Sequence, residues 1–131
     1  MGTWVWGIVM LVVKQIGPKG KGVFTDADIF KGQWVLAFGG PITHCRSRHS
    51  VQIGSGVHVM VEGTTRYVNH SCEPSCEVAH NTLLRALRDF PAGGEITYDY
   101  STTEEHMSVP FVCQCGSPQC RGKIIGSKDI E

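Results

Sequence analysis

Arg66-Tyr67-Val68-Asn69-His70-Ser71-Cys72-Glu73-Pro74 sets an amide, an imidazole, a hydroxyl, a thiol and a carboxyl side by side and then stops at a proline. One reading is a polar turn. A second makes Cys72 a nucleophile with His70 as its base. Side chains so close in sequence rarely face each other, however, and Cys72 has a competing use as a metal ligand.

That use comes from the C-terminal stretch. Cys113-Gln114-Cys115 and Cys120 bring three thiols into eight residues, with Gly116, Pro118 and Gly122 letting the loop fold around a point. Tetrahedral zinc needs a fourth ligand, which Cys72 or Cys76 can supply from a distance. Spacing does not decide between them. The alternative for the six cysteines (Cys45 completes the set) is three disulfides, with 15 pairings. No charged export signal precedes the apolar run Trp4–Val13, so a reducing, intracellular setting is expected. The run is also shorter than the ~20 residues that cross a bilayer, and no membrane association is expected.

With 131 residues, the chain is long enough for one domain with a real core. Twelve basic and twelve acidic residues balance, which removes the field that direct nucleic-acid binding needs. A hydrophobic content of 41% excludes a disordered tail. Sixteen glycines favour turns and short strands. Residues 4–16 read as one strand ending at the glycine-rich turn Gly17–Gly22. That turn fits neither a phosphate loop nor a dinucleotide fingerprint, and reads as a hairpin or as backbone approaching a small ligand. Strands are expected at Gln33–Phe38 and Val57–Val61, while Asn81–Phe90 fits helix or strand. Ile96, Tyr98 and Tyr100 alternate with Thr97 and Asp99, which places the two tyrosines ~7 Å apart on one strand face. The segment Asp89–Glu105 carries five acids and no base. It reads as an attractor for a cationic substrate or as a solvated edge.

Four blocks, in order, resemble SET-domain protein-lysine methyltransferases with a post-SET zinc motif. Gly20-Lys21-Gly22-Val23-Phe24 resembles the GxG block, and residues 66–74 resemble the RFxNHSCxP signature. Gly94-Glu95-Ile96-Thr97-Tyr98-Asp99-Tyr100 resembles GEELxYDY. Phe111–Gly116 with Cys120-Arg121-Gly122 resembles the post-SET tail. The resemblance implies a mostly β fold of several small sheets, with a SET domain over 10–101 and a zinc-bound post-SET segment over 109–125. It also implies a C-terminal pseudoknot that brings Asn69-His70 beside Tyr98–Tyr100, and a strand over Leu84–Phe90. The zinc ligands would be Cys72, Cys113, Cys115 and Cys120.

The implied cofactor is S-adenosylmethionine. Gly20, Lys21, Gly22 and Val23 would approach its methionine end, and Asn69 and His70 would hydrogen-bond it. Arg66 would support this region, Gln114 would lie near the adenine, and Tyr100 near the transferring methyl. The implied catalytic set is Tyr100, Tyr98 and Phe38, acting on a lysine of a protein substrate, histone included. Tyr98 holds the position whose hydroxyl favours mono- and dimethylation. Ala37-Phe38 stands where many members carry Glu-Tyr, so residue 38 walls the channel without hydrogen-bonding the amine. Ser75 in place of asparagine reads as a change of turn only. The short stretch between Ile42 and Val57 implies shallow peptide recognition, or recognition completed by a partner or a second copy of the chain. The other function weighed is a SET-fold protein-binding module with weak turnover. The nucleus is the expected location in a eukaryotic host, and the cytoplasm otherwise.

Overall fold

The structure, a computed structural model, describes residues 2–5, 9–17 and 20–129. The middle of the expected first strand (6–8) and part of the glycine-rich turn (18–19) lie outside the described residues. In chain order the strands are β1 Gly2–Val5, β2 Val9–Gln15, β3 Lys21–Thr25, β4 Trp34–Ala37, β5 Ile42–Thr43, β6 Ser50–Gly54 and β7 Val57–Met60. They continue with β8 Asn69–His70, β9 Cys76–Ala79, β10 Leu83–Ala86, β11 Thr97–Tyr98, β12 Phe111–Val112 and β13 Lys123–Ile124. Two 3₁₀ turns, Thr64–Tyr67 and Tyr100–Thr102, complete the set named here. The expected mostly β fold of small sheets is what forms.

Three sheets have three strands each, in the orders β1-β2-β3, β4-β10-β9 and β5-β7-β6. The expected single strand over 4–16 is instead an antiparallel pair, with Val5 opposite Val9 and Gly2 opposite Val12. An unbroken apolar run has no period that separates one long strand from two short ones. Leu83–Ala86 is a strand because both edges pair, to β4 and to β9. Its alternate residues Leu84 and Ala86 are buried.

The core gathers Leu11, Val23, Ile29, Val35, Leu36, Leu84 and Ile96, each at most 1% exposed. Each such side chain contributes about 1.5–3 kcal/mol by leaving water. Gly40 has no room for a side chain: a Cβ there (φ 151°) would sit 1.8 Å from the Met60 carbonyl oxygen, where the chain passes from β4 toward β5 beside β7. Isolated bridges Phe24–Glu95 and Ile29–Phe90 bind β3 and its successor loop to the segment ahead of β11. These bridges fix where the polar residues of that segment stand.

Candidate active site and metal centre

Two stretches 28 positions apart meet in parallel, Asn69 opposite Thr97 and His70 opposite Tyr98. This is the contact the pseudoknot expectation requires. Ser75 fastens it. Its side chain is 1% exposed; its hydroxyl donates to the Glu95 carbonyl (2.9 Å) and accepts from the Thr97 amide (3.0 Å). The expectation of a mere change of turn at Ser75 is therefore corrected: a small hydroxyl here satisfies buried backbone across the crossing.

Beyond Tyr98 the chain leaves the strand. Asp99 caps the 3₁₀ turn by accepting the Ser101 amide (3.0 Å), and His70 Nδ1 accepts the Tyr100 amide (3.1 Å). The two tyrosines therefore do not stand ~7 Å apart on one strand face. Their ring centroids are 4.9 Å apart. The Tyr100 hydroxyl donates to the Val68 carbonyl at 2.5 Å. Burial pushes the Tyr100 hydroxyl well above its ordinary pKa, with Glu95 and Glu104 adding to the rise and Arg48 opposing it. Burial, then Tyr100 and Glu104, raise Tyr98 likewise. Both remain neutral O–H donors at neutral pH.

His70 is neutral as well. Burial pushes it down to about 4, against the pull of Asp99. The 3.6 Å approach of Nδ1 to Asp99 is thus a contact and not an ion pair. With Nδ1 accepting from Tyr100, the proton belongs on Nε2, which faces Cys72 Sγ at 3.3 Å. Neighbours two apart do face each other here, contrary to expectation. The reversal comes from a Ser71 turn, in which the Glu73 amide donates to the Ser71 hydroxyl (3.0 Å).

Cys72 then faces the tail. The sulfurs of Cys72, Cys113, Cys115 and Cys120 all lie within 4.8 Å of one another, and the Cys72–Cys113 separation is 3.9 Å. A tetrahedron with Zn–S of ~2.3 Å needs sulfurs ~3.8 Å apart. A disulfide needs ~2.05 Å. The donor set therefore fits one zinc ion, and all six cysteines are free thiols. Cys76 is not a ligand, because its sulfur stands outside this group, in the hydrophobic core, where burial pushes the thiol up to about 11. Backbone supports the set: the Arg121 amide donates to Cys72 Sγ (3.3 Å), and the Arg121 guanidinium donates to Asp99 (2.7 Å). β12 and β13 close the tail, with the Cys113 amide on the Gly122 carbonyl (2.7 Å).

Between the crossing and the tail lies a cavity of about 700 Å³. That is within the ~300–1,000 Å³ range of small-molecule sites. Of the residues singled out in the sequence, Gly20, Lys21, Phe38, Arg66, Asn69, His70, Tyr98, Tyr100 and Gln114 line it. Gly20 has φ 82°, and a Cβ there would meet nothing within 4 Å, so the cavity opens against bare backbone. This fits a cofactor approached by main chain. Gly22 and Val23 are not on the lining. A Cβ on Gly22 would stand 2.7 Å from Glu95 Oε2, and Val23 is fully buried in the core. Asn69 Nδ2 donates to the Lys21 carbonyl and to Glu95 Oε2, both at 2.9 Å, which ties the glycine block to the crossing. Lys21 Nζ and the Arg66 guanidinium lie 5.0 and 4.8 Å from the Tyr67 ring centroid. Phe38, 6% exposed, packs its ring 5.7 Å from that of Tyr98. Arg48, Ser50, Glu104 and Phe111 also line the cavity and were missed as site residues. Glu104 left a trace in the sequence as part of the base-free segment 89–105, and Phe111 as the first residue of the tail block; Arg48 and Ser50 left none.

Residues 20–101 match the SET domain family. The chain belongs to that family. Methyltransferase flvH of Aspergillus flavus is 45% identical over 85 residues, covering 63% of this chain and 48% of flvH. Histone-lysine N-methyltransferase ash1 of Drosophila melanogaster is 31% identical over 134 residues, 84% of this chain and 6% of that protein. The chain thus spans about half or less of these relatives. Among solved structures, a chain from work on the structural basis of product specificity in histone lysine methyltransferases superposes with a TM-score of 0.68 at 27% identity. It covers 88% of this chain and 56% of that one. Among the described residues, no helix is long and apolar enough to cross a membrane.

Proposed function

We propose that the SET-domain chain transfers methyl groups from S-adenosylmethionine to lysine side chains of a protein substrate, with histone tails as the first candidates. The observation that supports this most is the crossing. It sets the Tyr100 hydroxyl on the Val68 carbonyl, one residue from Asn69, in the wall of a cavity that Gly20 and Lys21 also line. Histone-lysine methyltransferases among the relatives support the substrate class.

When bound, S-adenosylmethionine supplies a methyl activated on a sulfonium sulfur. Lys21 and the main chain of Gly20 and Lys21 would hold its methionine end, with Gly22 and Val23 packed behind them. Asn69 and the His70 backbone hydrogen-bond it, Arg66 supports that wall, and Gln114 borders the adenine. Orientation supplies much of the acceleration in an in-line displacement, so rigidity of this wall matters. The Tyr100 hydroxyl, kept protonated, borders the transferring methyl. Phe38 and Tyr98 wall the amine channel, and burial there favours the neutral amine that can attack. The Tyr98 hydroxyl takes up room beside the amine, which favours mono- and dimethylation. Residues 10–101 and 109–125 act as one unit because Cys72 joins the zinc set two residues from His70. The compartment is reducing and intracellular, the nucleus in a eukaryotic host.

Incubation of the zinc-loaded chain with methyl-labelled S-adenosylmethionine and mixed histones tests the reading. Label on lysine is expected, falling about a hundredfold in Tyr100→Phe, the loss typical of one positioned active-site hydrogen-bonding group. Label absent from all lysines, or undiminished in the variant, would contradict it. Cofactor binding without transfer would favour the protein-binding module.

A further inference from the structure

Glu104 is a carboxylate only 8% exposed, and it lines the same cavity as Phe38, Tyr98 and Tyr100. It leaves the 3₁₀ turn with its amide on the Tyr100 carbonyl (3.0 Å). Its Oε2 accepts from the Gln52 amide (2.9 Å) and the Thr103 hydroxyl (2.8 Å), both neutral groups. Lys21, Arg48 and Arg66 also line the cavity, but among the described residues no cation stands within 4.0 Å of Glu104. Lys21 and Arg66 are engaged on the Tyr67 ring. A carboxylate so placed has given up most of its water without gaining a counter-ion. The same cavity carries apolar and aromatic groups, Phe38, Val51, Val61 and Tyr98, beside the polar Arg48, His49 and Ser50. Phe38 offers no polar atom to an incoming amine.

We propose that Glu104 is the counter-ion for the substrate, a positioning residue that admits an aliphatic primary ammonium and supplies from the neighbouring wall the polar contact that Phe38 lacks. The inference deepens the proposed function and rests on it for the identity of the amine. Its role is at recognition, with Gln52 and Thr103 fixing the carboxylate. The ammonium gives its proton to solvent water before attack, so Glu104 acts at recognition and governs KM more than kcat.

The test is a solution NMR titration of the zinc-loaded full chain, saturated with S-adenosylhomocysteine, with n-butylammonium and with neutral n-butanol. The amides of Gln52 and Thr103 are the reporters. The unaltered protein is expected to prefer the ammonium about tenfold, the worth of one charge-assisted hydrogen bond. Glu104→Gln, which keeps an acceptor for Gln52, is expected to lose that preference, and Glu104→Asp to keep part of it. No preference in the unaltered protein overturns the proposal even if the variant fails to fold, and so does a preference that survives in Glu104→Gln. With a lysine-rich peptide as methyl acceptor, Glu104→Gln is expected to raise KM about tenfold with kcat within about twofold. A matched fall in kcat with unchanged KM would mark a purely structural role and overturn the proposal. Charge-selective binding without any methyl transfer would refute the proposed activity while upholding Glu104. Transfer with KM unmoved in Glu104→Gln would do the reverse.

Discussion

Removing the metal should open one part of the molecule and spare another. The tail from Phe111 to Asp129 contributes few buried apolar side chains, Ile124 at 1% exposure and Cys113 at 8%. One buried isoleucine is worth about 1.5–3 kcal/mol. Ordering backbone costs ~1–2 kcal/mol per residue. The two-residue strands β12 and β13 and bonds such as Ser101 Oγ to the Ile125 carbonyl (3.0 Å) offset only part of that. A zinc site of this type supplies about 10–16 kcal/mol, as much as the whole stability of a typical domain. The main core cluster runs from Leu11 to Tyr98 and contains no residue of the tail. Chelation should therefore strip protection from the amides of 111–129 and loosen Tyr100–Thr103, whose neighbour Asp99 loses Arg121. Amides of β4, β9 and β10 should stay protected. Hydrogen exchange read by mass spectrometry, with metal analysis alongside, measures this directly. One zinc per chain is expected, lost in Cys72→Ser and kept in Cys45→Ser, since Cys45 is exposed and outside the cluster. A metal-free chain whose tail stays protected would refute the reasoning, as would a tail held by disulfides on thiol counting.

Other consequences follow from single side chains. Tyr98→Phe should raise the methylation state of a modified peptide, read by mass spectrometry; trimethyl-lysine as the main product of the unaltered protein would contradict the role given to that hydroxyl. Leu84→Ala should cost about 2–5 kcal/mol in urea unfolding, because Leu84 and its partner Leu36 are both fully buried. A loss below ~1 kcal/mol would mean the sheet relaxes into the void. Gly40→Ala should lower the thermal midpoint, since its Cβ has no room beside the Met60 carbonyl. An unchanged midpoint would show that the β4–β5 connection can shift at no cost.

What was legible in the sequence was chemistry held in local spacing. The three tail thiols, the glycine block and the tyrosine pair announced themselves as patterns, and the resemblance joined them across the gap to Cys72 and Asn69. What was not legible depends on partners distant in the chain. Tyr100 leaves the strand because His70 Nδ1, 30 residues away, takes its amide. Ser75 looks like a turn residue until Thr97 is placed against it. The run Trp4–Val13 is apolar on both sides of Gly7, so no change of period marks its division into two strands. Glu104 was visible only as one acid among five. Its burial follows from the Gln52 amide, 52 positions upstream.

The central claim is that the crossing of residues 69–70 with 97–100 builds a cofactor site against the glycine block. Calorimetric titration of the zinc-loaded chain with S-adenosylhomocysteine tests it most directly. One molecule bound per chain is expected, with affinity falling at least about tenfold in Asn69→Ala, the cost of losing the hydrogen bonds of a half-buried amide. No binding, or binding that ignores Asn69, would contradict it.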